Sequence, residues 1–278
     1  MSSSKELRSR IRSVANTSQI TRAMGLVAAV RLRKAQARLQ SAEEYWKRLD
    51  SMLATLVSDS DQSHPLMERR EQRKRTLLVF GSDRGLCGSF NRDVASALSE
   101  ALETGGIETD IVPVGDRMAS LLKASGLAPT LVDSRFTTRD FLSGDSLAAE
   151  MFADWFMSGL TDRVDVLAAT PSGGAFRRLA SRTVLPLEGD IGIFLTRDWI
   201  VEPSRAAILG QLAQECYRSS LVLAAVGSET AEQMARLTAM TAATRNADDM
   251  LADLKLASNK IRQAAITSEL TEIVAGTA

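Results

Sequence analysis

Twelve of the fifteen positions reached from Leu7 by alternate steps of four and three residues are apolar, where a 45% apolar composition predicts about seven. The series runs Leu7, Ile11, Val14, Ser18, Thr21, Gly25, Ala28, Leu32, Ala35, Leu39, Ala42, Trp46, Leu49, Leu53 and Leu56 without a slip. A step averaging 3.5 residues keeps one stripe against a partner only if the helices supercoil left-handedly. At about 1.5 Å per residue the stretch predicts a rod of roughly 75 Å, which no compact domain of this size hides. Such a stripe needs a second helix over it, because a lone helix leaves it wet.

The other end of the chain supplies the candidate. All six prolines (Pro65, Pro113, Pro129, Pro171, Pro186 and Pro203) lie between residues 65 and 203, and the last 75 residues hold only Gly210, Gly227 and Gly276. Proline breaks helices and glycine weakens them, so both ends read as long helices flanking a middle of shorter elements. The same stepping through Gln233, Leu237, Met240, Thr244, Ala247, Leu251, Leu254, Ser258, Ile261, Ala265 and Ser268 finds seven apolar residues in eleven, a weaker seam. The reading is one long antiparallel coiled coil of the two chain ends, divided into residues 1–60, 61–203 and 204–278.

The middle alternates strand and helix. Thr76 to Phe80, Asp110 to Val114, Val164 to Ala169 and a segment near Ile191 to Thr196 read as strands. Asn91 to Glu103, a stretch ending at Ala124, and Ser146 to Leu160 read as helices. Alternation of this kind predicts a partly parallel, Rossmann-like α/β domain with crossovers. The polar stretch 59–75 links it to the first helix.

Thirty-four Lys and Arg balance thirty-four Asp and Glu, so net charge gives no general bias toward nucleic acid or anionic lipid. The balance is uneven along the chain. Residues 1–40 carry Lys5, Arg8, Arg10, Arg12, Arg22, Arg31, Arg33, Lys34 and Arg38 against the single acid Glu6. This basic face suits an acidic protein surface, or water alone; aromatic interleaving of the kind that favours single-stranded nucleic acid is missing before Tyr45. Cys87 and Cys216 match no metal-ligand spacing and read as two ordinary thiols of a reducing compartment, with a disulfide between them left open. No apolar run reaches the roughly 18 residues of a membrane span, and the N-terminal residues do not form a signal peptide.

Few residues offer chemistry. Gly81-Ser-Asp-Arg-Gly-Leu-Cys-Gly88 follows a strand and precedes a helix, where a phosphate loop would sit. It lacks the Lys-Ser/Thr ending of a Walker loop and does not fit G-x-G-x-x-G, so it reads as a tight structural turn. His64, the single histidine, reads as a solvated surface residue in the polar link. No Ser-His-Asp or Cys-His set can be built around it. Asp83 and Asp93 read as turn and cap residues.

Three motifs resemble one family. Ile20-Thr-Arg-Ala-Met-Gly-Leu-Val-Ala-Ala-Val-Arg-Leu-Arg-Lys-Ala-Gln36 resembles the N-terminal helix of the γ subunit of F-type ATP synthases. Ser82-Asp-Arg-Gly-Leu-Cys-Gly88 resembles that family's loop. Ala239-Met-Thr-Ala-Ala-Thr-Arg-Asn246, continued by Asn259-Lys-Ile-Arg-Gln-Ala-Ala-Ile-Thr-Ser-Glu-Leu-Thr-Glu-Ile-Val274, resembles its C-terminal helix most strongly. The resemblance implies a non-catalytic central rotor in a ring of three α and three β subunits, with a globular foot on the ε subunit and the c-subunit ring, and no cofactor or metal of its own. It implies that Arg262 and Gln263 bind a loop of β, with Thr267 and Glu269 in the same contact region. Met24 is implied to lie near an acidic lever loop of β, and Arg84 to make an acidic contact from the foot. It also implies a peripheral place on the cytoplasmic face of a bacterial inner membrane. Gly25 departs from the family, which usually carries a charged residue there; local flexibility is the expected consequence. A free-standing coiled-coil adaptor with an acidic partner is the alternative, and a nucleotide-binding enzyme using the glycine loop a third reading.

Overall fold

The computed structural model describes residues 4–58, 64–103, 106–126, 136–142, 146–172, 176–188 and 202–276. The long helices α1 (Ser4–Ser58) and α5 (Arg205–Gly276) bracket the chain. Between them come β1 (Lys74–Phe80), α2 (Phe90–Glu103), β2 (Glu108–Val114), α3 (Asp116–Ala124), α4 (Leu147–Met157), β3 (Arg163–Ser172) and β4 (Phe176–Leu185), with short 3-10 turns at Pro65–Met67 and Thr138–Phe141. The expected strand near Ile191 to Thr196 lies outside the described residues. The chain forms two compact units, one of residues 1–30 with 236–278, the other of residues 31–235.

In the unit of residues 1–30 and 236–278, α1 and α5 pair antiparallel. Ser18 meets Asp248, Thr21 meets Thr244, and Gly25 faces Met240. The partner numbers fall as the α1 numbers rise, and each pair sums to 265 or 266. The α1 seam positions here, from Leu7 to Ala28, are all buried or half-buried, whereas neighbours such as Ile20 and Leu26 stand 59% and 68% exposed. Small residues dominate this seam: Ser18, Gly25, Ala28 and Ala247 are buried on it.

The larger unit is built on a sheet of order β2-β1-β3-β4. β1 pairs parallel with both β2 and β3, and β4 runs antiparallel to β3. Both faces are covered, which explains why six of the seven β1 residues are buried without alternation and its apolar residues form the continuous run Leu77 to Phe80. On one face α2 and α3 bury Phe90, Val94, Leu98, Met118 and Leu122 against Leu77 and Val79. On the other, Phe152 and Phe156 of α4 and Tyr217, Leu221 and Ala225 of α5 cover Leu78, Phe80, Val164 and Val166. Phe80, Phe136, Phe141, Phe152 and Trp155 form one cluster of edge, tilted and stacked ring contacts on this face. Here too α1 and α5 run antiparallel, through Arg38 to Glu229 and Trp46 to Ser220, with Leu49 and Leu53 packed on Leu209 and Leu212.

One strand was not foreseen. β4 reads Phe-Arg-Arg-Leu-Ala-Ser-Arg-Thr-Val-Leu, and its arginines hide the strand pattern. Arg182 keeps an exposed side chain, but its guanidinium lies 5.0 Å from the Trp46 ring centre and donates to the Ser220 carbonyl at 3.3 Å. His64 also differs from its expected solvated state. It is half-buried and N-caps the turn that follows, Nδ1 accepting from the Leu66 amide at 3.2 Å.

Candidate partner-binding surfaces

The pairing sum of about 265 places Ser4 opposite Ile261, so α5 runs on from there past the described start of α1. The sixteen residues from Ile261 to Gly276 amount to about 24 Å of helix. Seam positions Ile261, Ala265 and Ser268 are exposed, and Ile266 and Leu270 are 45% and 58% exposed. Arg262, Gln263 and Thr267 all stand exposed on this segment, and Thr267 Oγ1 donates to the Gln263 carbonyl at 2.9 Å. Glu269 lies on the same stretch of α5. The α5 overhang therefore offers guanidinium, amide and hydroxyl groups on a helix with a wet apolar stripe.

Met24 is half-buried on α1 in the same unit, beside Gly25. The basic face is accessible: Arg8, Arg10, Arg12 and Arg22 are exposed here, and Arg31, Arg33, Lys34 and Arg38 are exposed in the larger unit. Arg22 and Arg38 are bonded to Asp248 and Glu229. Two residues that the stepping did not single out as functional are Ser18 and Asp248. Their signal in the sequence is that the three interruptions of the α1 seam, Ser18, Thr21 and Gly25, are consecutive.

Arg84 is exposed at the tip of the 81–88 loop in the larger unit, apart from the residues on the α5 overhang in the division of the chain. The loop itself is a close-packed turn. A side chain on Gly81 would lie 2.4 Å from Met118 Cβ, and on Gly115, at φ 111°, an added Cβ would lie 2.7 Å from the Ser82 carbonyl oxygen. The amide that a phosphate would need at Ser82 is already given to Asn91 Oδ1 at 2.9 Å, and Asn91 returns a bond to Ser82 Oγ at 2.7 Å. Asp83 is half-buried with Oδ1 finding no hydrogen-bond partner among the described residues. Burial, then the neighbouring Asp116, raises its carboxyl above the ordinary carboxylate range, against the opposing pull of Arg139.

In an open α/β sheet, ligands enter at the carboxyl ends of strands where the order reverses, which here is between β1 and β3. α5 fills that crevice. Gly227 sits where an added methyl would be 3.6 Å from the Ala169 carbonyl, Ser228 Oγ donates to the Phe80 carbonyl at 3.4 Å, and Ala231 is buried in the core beneath. Cys87 and Cys216 are free thiols, both buried, and burial pushes Cys216 up to about 12. Among the described residues no group of acidic, histidine or cysteine side chains could hold a metal ion, and no helix is long and apolar enough to cross a membrane.

These features define a class of architecture: long terminal helices paired antiparallel, with a doubly covered α/β sheet packed on the portions of them in the larger unit. Residues 3–278 match the family model described as ATP synthase. The chain is 34% identical over 284 residues to the ATP synthase gamma chain of Flavobacterium psychrophilum, covering 99% of this chain and 98% of the relative. It is 35% identical over 288 residues to that of Acidithiobacillus ferrooxidans, covering 100% and 99%. Among solved structures, the rotor of the Euglena gracilis mitochondrial ATP synthase has the same fold at TM-score 0.67 and 16% identity, over 95% of this chain and 98% of that one. The central stalk of the Tetrahymena thermophila mitochondrial enzyme has it at 0.59 and 21%, over 81% and 99%. The chain belongs to the ATP synthase gamma-chain family.

Proposed function

We propose that the chain is the rotating shaft that couples ion-driven turning of a membrane ring to the conformational cycle of catalytic β subunits, without catalysing a reaction itself. The observation that carries this reading is the α5 overhang: a single exposed helix bearing Arg262, Gln263 and Thr267 beyond its α1 partner. An asymmetric shaft in a three-fold ring makes different contacts with each β subunit and so biases each toward a different conformation, a population shift by differential contact. Arg262 suits a bidentate bond to a carboxylate of a β loop, because its planar fork matches carboxylate geometry. Gln263, Thr267 and Glu269 complete that contact, Met24 with the basic α1 face meets acidic loops of β, and Arg84 makes a separate acidic contact. The crevice filled by α5 and the packed glycine turn support a shaft with no nucleotide of its own.

The partners in this reading are three α and three β subunits around residues 1–60 and 204–278, and an ε subunit and c-subunit ring at the domain of residues 61–203. The place is the cytoplasmic face of a bacterial inner membrane, held peripherally through those partners. The test is Arg262→Ala with Gln263→Ala in the assembled complex. Coupled ATP synthesis should fall while the isolated subunit keeps its helicity and melting temperature; full synthesis would refute the site assignment. Failure of the wild-type chain to co-purify with α and β subunits would remove the shaft reading altogether.

A further inference from the structure

The seam between α1 and α5 in the unit of residues 1–30 and 236–278 is a poor ruler. Gly25, Ala28 and Ala247 present small, similar surfaces, and such a seam packs nearly as well when one helix slides by one seam step. Of the large side chains that fix register elsewhere in coiled coils, Met240 is buried on it, whereas Leu7, Ile11, Val14, Leu237, Leu251 and Leu254 are only half-buried.

A polar cluster crosses the seam at this place. Ser18, only 5% exposed, donates from Oγ to Asp248 Oδ1 at 2.6 Å. The second carboxylate oxygen accepts from Arg22 Nη2 at 2.9 Å. One turn along, Thr244 Oγ1 lies 2.8 Å from Thr21 Oγ1 and can donate to it, and Thr21 in turn donates to the Ser18 carbonyl at 3.0 Å. The Met240 carbonyl, also 2.8 Å from Thr244 Oγ1, is the alternative acceptor within α5 itself. Both oxygens of Asp248 are thus engaged by α1, and the cross-seam hydroxyl pair shares one direction of donation with the Ser18 backbone.

The geometry points to a register clasp: we propose that Ser18, Arg22 and Asp248, with Thr21 and Thr244, set the axial register of α1 on α5 and keep the pair from slipping when torque is applied. The clasp acts through specificity more than stability. The Arg22–Asp248 pair has side chains 64% and 45% exposed, and exposed pairs are worth little net. A slip of one seam step in either direction, in contrast, takes Asp248 away from Ser18, and in one direction sets the buried Ser18 hydroxyl against Leu251. A single polar position on an otherwise apolar seam is the best-attested way of fixing coiled-coil register.

The clasp can be tested without the partners. Spin labels at Ala23→Cys and Asn259→Cys, both exposed and set about 25 Å apart along the axis on the facing helices, read the register as a distance; the native thiols are buried and stay unlabelled in the folded chain. The parent should give one narrow distribution. Ser18→Ala with Asp248→Ala should broaden it or add a second distance displaced by about 5 Å, one seam step of helix rise, while helicity stays unchanged. Asp248→Asn, which keeps an acceptor for Ser18, should remain narrow. A narrow, unshifted distribution in the double variant overturns the clasp. Its role in torque rests on the shaft reading: in the assembled complex the double variant should rotate normally unloaded and fall behind the parent under viscous load. Parental loaded rotation with a broadened distance overturns the role in torque and leaves the register assignment standing, whereas failure of the parent chain to assemble sinks only the shaft reading.

Discussion

Gly25→Ala is the substitution whose outcome follows most directly from the geometry. Gly25 is buried in the middle of α1, and an ideal Cβ there would meet Met240 Cβ at 3.6 Å, an ordinary van der Waals separation. The glycine is therefore not needed for close approach of the helices, and its effect is on the backbone. Replacing it restores about 1 kcal/mol of helix propensity. Burying the new methyl against Met240 adds up to about 0.8 kcal/mol, so local stability should rise by about 1 to 1.8 kcal/mol. Amide hydrogen exchange of residues 21–29 reads this directly, because local opening is measured there and not averaged over both compact units. Exchange governed by that opening should slow by roughly 5- to 20-fold, the range corresponding to those energies. The melting temperature of the isolated subunit should rise by a few degrees, at about 2–4 °C per kcal/mol for a chain of this size. Unchanged or faster exchange would refute the reasoning, for it would mean that the seam closes more tightly than 3.6 Å and that glycine is required for space.

Other outcomes follow from single buried groups. His64 must keep Nδ1 unprotonated to cap Leu66, and burial lowers its titration below the ordinary 6.5. Its contribution is present above that value and is lost as pH falls through the lowered one; the single imidazole signal in NMR should titrate below 6.5, and a midpoint above it would contradict the cap. Asp83 is raised, so its ionisation opposes folding: stability is fully present below its ordinary 3.8 and lost as pH rises through the raised value. Asp83→Asn should therefore raise the melting temperature at pH 7, with the gain absent near pH 3. Asp165 is fully buried between Arg163 Nε at 2.7 Å and Arg75 Nη1 at 3.7 Å. Asp165→Ala should cost about 3 kcal/mol in urea unfolding, because Arg75 stays buried without its counter-charge; a loss below about 1 kcal/mol would show that Thr109 and the Ala101 carbonyl suffice to hold it.

The α1 seam was legible because a long helix packed along one stripe repeats a single environment, and residues chosen for that environment print their period on the sequence. Leu7 to Leu56 are all covered where the stepping put them. The start of α5 left no such print. Leu209, Ala213, Tyr217, Leu221 and Ala225 are buried against the sheet or α1 in turn, so several faces of one helix are apolar and the period blurs. β1, β2 and β3 were visible as apolar runs, since strands covered on both faces have nowhere to place polar residues. β4 was not, because Arg182 is accommodated by a ring and a carbonyl from elements distant in sequence.

The candidate contact residues divide in the same way. The identities of Arg262 and Gln263 are carried by a local motif, but their exposure depends on α5 extending past Ser4, which follows from where the two helices pair. Ser18 and Thr21 were plain in the sequence as gaps in an apolar stripe. Only the tertiary structure supplied Asp248 and Thr244 opposite them, because a hydrogen bond across more than 200 residues is decided by register and not by neighbours along the chain.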